Sequence, residues 1–216
     1  MRHTPAMTMA VIIILTTGAY AWTPTTIPSP TPTPTSVVPA DAFQIRYSVN
    51  LNVGDSVIDI TNAGTQGAGD PAGNICANVY VFDPAEEMIA CCSCLVTPNA
   101  LNSLSARTDL ISNTITPGLP TSIVVKLLAS KPLADGRRCD ASSPTAGTLV
   151  SGLRAWGTTI HANSTNTPAT YDLTETEFSP AVLSASELDR LSSFCGFIQE
   201  DGSGFGICRS CRAGGR

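Results

Sequence analysis

The chain has 216 residues, with 12 Lys and Arg against 17 Asp and Glu, a formal net charge of −5 and only 13% charged residues. Phosphate backbones are bound by clustered Lys and Arg, so this balance excludes nucleic acid as an expected partner. The C-terminal group Arg209, Arg212 and Arg216 is too small to alter that.

Residues 1–21 read as a cleavable signal peptide. Arg2 precedes an uncharged stretch with its apolar heart at Met9 to Leu15, and Ala19-Tyr20-Ala21 supplies the small-residue ending that signal peptidase accepts. The apolar run is shorter than the roughly 20 residues of a membrane helix, so cleavage is expected rather than a retained anchor, leaving no membrane span. No cysteine follows the run and no hydrophobic tail ends the chain, so no lipid anchor is expected. Residues 22–40 are uncharged Pro, Thr and Ser around Ser29-Pro30-Thr31-Pro32-Thr33-Pro34-Thr35, the composition of an extended stalk or linker that buries no core. Residues 41–216 are then one disulfide-stapled β-rich domain, secreted or held at the cell surface.

Within it, Phe43, Ile45, Tyr47, Val49, Leu51 and Val53 alternate with Gln44, Arg46, Ser48, Asn50 and Asn52, which predicts a half-buried strand. Gly54-Asp55 predicts a turn, with Ser56 to Thr61 returning as a second strand before a glycine-rich surface loop at 62–74. Ile75 to Phe82 and Met88 to Val96 predict a hairpin. Its expected register sets Ile75, Ala77, Val79, Val81, Ile89, Cys91 and Leu95 on the core face and Cys76 opposite Cys94, with Cys92 diagonal, so that Cys76 bridges to Cys94 or Cys92. Thr97-Pro98 reads as a capped start to a short helix ending near Arg107. Ile123 to Ala129 and Leu149 to His161 predict strands, and Gly152 and Gly157 imply a bulge or kink in the second. Ser184-Ala185-Ser186-Glu187 is a capping-box sequence, and Leu188, Leu191, Cys195 and Ile198 follow at helical spacing. These elements predict an all-β antiparallel sandwich with one or two short helices packed at its edge; a β-rich α+β fold is the alternative.

Cys76, Cys91, Cys92, Cys94, Cys139, Cys195, Cys208 and Cys211 form an even set, which in an exported chain reads as up to four disulfides, with Cys195, Cys208 and Cys211 pinning the helix to the C-terminal segment. A rival reading makes Cys92, Cys94, Cys208 and Cys211 a four-thiolate zinc site. Cys208-Arg209-Ser210-Cys211 has half a zinc ribbon's spacing, but Cys92-Ser93-Cys94 does not supply the other half, so no metal and no cofactor is expected.

Few residues offer catalysis. With His3 in the leader, only His161 remains as an imidazole. Gly54-Asp55-Ser56 with Asp59 superficially resembles the nucleophile block of GDSL-type esterases. That family also has an Asp three residues before its catalytic His, where this chain has Thr158, so the block reads as a β-turn. Asp172, Glu175 and Glu177 carry the residue types of a glycosidase pair and read as a solvated strand edge. Trp156, Tyr171 and Tyr80 are the candidate stacking surfaces for a sugar polymer.

The segments Cys91-Cys92-Ser93-Cys94, Leu153-Arg154-Ala155-Trp156-Gly157, and Phe194-Cys195-Gly196-Phe197 through Cys208-Arg209-Ser210-Cys211 resemble a group of uncharacterised secreted bacterial proteins. The resemblance implies export and an intact cysteine set, and no activity. The expected function is therefore non-enzymatic: surface structure, assembly or adhesion, with a second copy or an external polymer as partner. A polysaccharide-binding module is the first alternative and a secreted hydrolase the second.

Overall fold

The computed structural model describes residues 38–163 and 170–211. The expected leader, nearly all of the Pro/Thr segment, and Arg212 and Arg216 lie outside them. Val38, the first described residue, already packs against both hydrophobic clusters.

Among the described residues, nine strands form two antiparallel sheets: β1 (Phe43–Ser48), β2 (Val57–Asn62), β3 (Ile75–Phe82), β4 (Met88–Val96), β5 (Leu101–Ser105), β6 (Ile123–Ser130), β7 (Leu153–Asn163), β8 (Thr170–Glu177) and β9 (Ser179–Pro180). One sheet runs β4-β3-β6-β1-β9 and the other β5-β2-β7-β8. With the helix α1 (Ala185–Glu200) on one side, this is the expected all-β sandwich.

Two clusters divide the core. Ile58, Ile60, Val79, Val125, Leu127 and Ala155 lie in one that joins both sheets. Phe43, Tyr80, Phe82, Leu128, Leu188, Leu191 and Ile198 lie in the other, where α1 covers the outer face of the five-stranded sheet. That sheet is buried on both faces, and all eight residues of β3 are buried. The predicted helix is present: Ser184 caps it by accepting from Glu187 N (3.1 Å). The Glu187 carboxylate does not complete the box; it pairs with Lys126 on β6.

Several expectations are corrected. β1 ends at Ser48 and Asn50 takes a left-handed conformation (φ 61°), so the alternation running to Val53 outlasts the strand. β2 does not return beside β1: β1 pairs with β6 and β9, whereas β2 pairs with β5 and β7 in the other sheet. The predicted helix at 97–107 is absent. Ala100 N closes a turn on Thr97 O (3.0 Å), Asn99 is left-handed (φ 63°), and Leu101–Ser105 runs on as an edge strand, with a single π-helical turn only at Ala106–Leu110.

The β3–β4 register also differs. Phe82 faces Met88, as the expected register requires, but Val81 faces Ala90, so Ile89 is the extra residue of a β-bulge. A one-residue shift sends every later side chain to the opposite face. Ala77 therefore faces Cys94 and Val79 faces Cys92, and Cys76, opposite Leu95, forms no cross-strand bridge.

Candidate functional site

All eight cysteines are paired: Cys76–Cys139, Cys91–Cys195, Cys92–Cys208 and Cys94–Cys211, with Cα separations of 5.6, 5.8, 5.4 and 4.8 Å. Three of the four fasten to β4. Contrary to expectation, the helix is thus not pinned to the C-terminal segment; Cys195 and both C-terminal cysteines are each tied separately to that strand. The bulge accounts for this, because it turns Cys92 and Cys94 into the inter-sheet core and Cys91 toward α1. Cys92, Cys94, Cys208 and Cys211 do come together as the zinc reading requires, but as two disulfides, which offer no thiolates. Among the described residues no group of three or more His, Cys, Asp or Glu is placed to hold a metal ion.

The catalytic candidates are dispersed. Ser56 is fully buried; its hydroxyl donates to Thr158 O (2.6 Å) and lies 3.3 Å from that of Ser48. His161 is exposed near the C-terminal end of β7, with Nε2 2.8 Å from Thr174 Oγ1 on β8. Asp172, Glu175 and Glu177 lie on β8, where every residue is exposed. His161 faces Asp172 across the β7–β8 ladder, but no hydrogen bond joins it to an acid or to Ser56.

The aromatic candidates also separate. Tyr80 is buried and donates to Ala141 O (2.8 Å), which removes it as a stacking surface and holds its phenol far above the ordinary pKa through burial and the nearby Asp140 charge. Tyr171 is exposed, but its ring lies over Gly54, where an added Cβ would come within 2.9 Å of it. Trp156 is half-buried on the outward face of the four-stranded sheet.

Among the described residues, no element covers that face. Ladder positions bring Ser103, Asp59, Trp156 and Glu177 into one row across β5, β2, β7 and β8, with Leu101, Thr61 and Arg154 in the next. Ser103 Oγ donates to Asp59, orienting one carboxylate beside the indole, and Leu101 is 63% exposed. A central indole flanked by carboxylates, with a cation and an exposed leucine adjacent, can stack on an apolar ring face while its neighbours bond to hydroxyls. Sequence reasoning singled out Trp156 without this row. The alternation Arg154, Trp156, Thr158 signals one face of β7, but the partner strands follow only from the topology.

The sequence matches no family model and no curated protein. A solved structure titled "Crystal Structure of Thermotoga maritima 1070" aligns with 68% of this chain and 99% of its own, at 8% identity and a TM-score of 0.39. A likeness of that degree carries no functional argument.

Proposed function

We propose that the chain is a secreted or cell-surface, non-enzymatic module whose stapled sandwich serves in adhesion or surface assembly. The observation that carries this is the use of all eight cysteines in four disulfides, three of them converging on one strand, a state that persists in oxidising compartments. The sealing of Ser56 and the separate partners of His161 support a non-catalytic role. The asymmetry of the sandwich supports adhesion, since one sheet is covered by α1 and the other presents the row around Trp156. Among the described residues no helix is long and apolar enough to cross a membrane. The half-buried indole also favours the narrower reading of this face as a polysaccharide contact.

The test is cosedimentation of the mature protein with the envelope of the producing cell. Wild type is expected in the pellet, and Trp156→Ala in the supernatant with an unchanged thermal midpoint. Wild type found wholly in the supernatant, as a monodisperse monomer at high concentration, contradicts the reading.

A further inference from the structure

The loop between β1 and β2, the π-helical turn at Ala106–Leu110 and the segment at Leu119–Thr121 enclose an open cleft of about 660 Å³, which also takes Arg209 from the C-terminal segment. Arg107 and Arg209 both line it, and neither guanidinium makes a hydrogen bond, ion pair or ring contact among the described residues. The nearby carboxylates are already engaged. Asp55 accepts from Arg107 N (3.0 Å) and from the Ser105 hydroxyl; Asp109 accepts from Ser105 N (2.7 Å) and from the Ser210 hydroxyl. Of these two carboxylates only Asp55 lines the cleft, so its wall sets two uncommitted cations against one hydrogen-bonded anion.

Both cations spring from fixed backbone. Arg107 N is held by Asp55; Arg209 N donates to Asp109 O (3.1 Å) and follows Cys208, which is bound to Cys92 on β4. Leu119, which is exposed, and Pro120 supply an apolar wall over the buried Leu51 and Ile111. Planar guanidinium forks match a carboxylate in two-point hydrogen bonding, and aliphatic wall surface suits the C–H faces of a sugar ring. With Asp55 offsetting one arginine, the lining carries one net positive charge, which matches a singly charged carboxylate better than a doubly charged phosphate.

We infer that this cleft binds the carboxylate of an acidic polysaccharide, a polyuronate. The cleft is separate from the row around Trp156 and adds a second contact to the adhesive reading; the two fail separately, since envelope binding tests the row and binding of acidic fragments tests the cleft.

The experiment titrates the mature protein with oligogalacturonate, oligoalginate and hyaluronan fragments, with methyl-esterified oligogalacturonate as the uncharged counterpart and inorganic phosphate as the competing anion. At least one acidic fragment is expected to bind, more weakly as salt rises, and about tenfold or more weakly to Arg107→Gln and Arg209→Gln, whose removed groups would make charge-assisted hydrogen bonds. Amide shifts at Ile111 and Leu119 locate the site, and an unchanged thermal midpoint certifies the variants' fold. Binding to none of the acidic fragments, equal binding of the ester, indifference to both substitutions, or displacement by equimolar phosphate overturns the inference.

Discussion

Cys91 and Cys92 are adjacent in β4, yet their disulfides leave opposite faces of the sheet, Cys91 to Cys195 in α1 and Cys92 to Cys208 in the C-terminal segment. One strand thus anchors the helix layer and the chain end at once. The bridges do not act independently, because each shortens the loop that the next one closes.

An unequal response to removing single bridges follows. With Cys92–Cys208 intact, Cys91–Cys195 closes a detour of roughly 15 residues and Cys94–Cys211 a ring of roughly five, so their entropic contributions are about 3 and about 2 kcal/mol. Cys76–Cys139 spans 63 residues with no such shortcut, and its contribution is about 4 kcal/mol. Denaturant unfolding of the three paired Cys→Ala variants should show the largest loss for Cys76–Cys139, then Cys91–Cys195, then Cys94–Cys211. Equal losses would contradict the nested arrangement.

Arg46 crosses the sandwich from β1 to the other sheet, where its guanidinium donates to Thr176 O (2.9 Å), Thr176 Oγ1 (2.7 Å) and Thr159 Oγ1 (2.7 Å). Burial lowers its pKa against the opposing pull of Glu175, and its Nε has no partner. Gly157 makes room for it, because a Cβ there would lie 2.5 Å from Nε. Gly157→Ala should therefore cost about 1–3 kcal/mol through overpacking. Arg46→Met, which removes the buried charge and keeps much of the volume, should restore most of that loss in the double variant. Thermal unfolding of the double-mutant cycle checks the coupling, and strict additivity would contradict it.

Tyr80 gives a stability limit on the alkaline side. Its folded pKa is raised, so the neutral phenol stabilises the fold below the unfolded value near 10, and that contribution is lost as pH rises above it. Tyr80→Phe leaves Ala141 O without this donor and should cost about 1–3 kcal/mol at neutral pH, while flattening the alkaline decline. A decline unchanged in the variant would assign the alkaline loss to other groups.

Asp135 gives the acid counterpart. Its carboxylate accepts from Arg137 N and Arg138 N (3.0 Å each) and from the Arg138 side chain, which holds its pKa at about 2, below the ordinary 3.8. A depressed carboxylate contributes stability above its unfolded pKa and loses it as pH falls through the folded one. The turn at Asp135–Arg138 should therefore keep its amide shifts down to roughly pH 3 and lose them near pH 2. In Asp135→Asn, those shifts should be altered at neutral pH and insensitive to acid.

The sandwich and α1 are legible in the sequence because hydrophobic periodicity reports burial directly. Periodicity does not report which neighbour does the burying. In β1 the apolar Phe43 and Ile45 face the α1 layer, while Gln44, Arg46 and Ser48, read as a solvent face, bond across the sandwich: Gln44 to Leu153 O (2.9 Å), Arg46 to Thr159 and Thr176, Ser48 with Ser56. The cysteine pairing hangs on the bulge at Ile89, a single insertion with no glycine or proline to mark it. The predicted helix at 97–107 fails because Thr97-Pro98 is equally a turn opening, and β2 draws Leu101–Ser105 into its ladder. The cleft beside Arg107 joins segments distant in the chain, so no local pattern announces it.

The most direct test of the stapled surface module is disulfide mapping of the native protein recovered from outside the producing cell, by peptide mass spectrometry with thiol alkylation before reduction. The account predicts recovery in that extracellular or envelope fraction, no alkylated cysteine before reduction, and the four pairs Cys76–Cys139, Cys91–Cys195, Cys92–Cys208 and Cys94–Cys211. Recovery in the cytosol with freely alkylated cysteines, or stoichiometric zinc on Cys92, Cys94, Cys208 and Cys211, would contradict it.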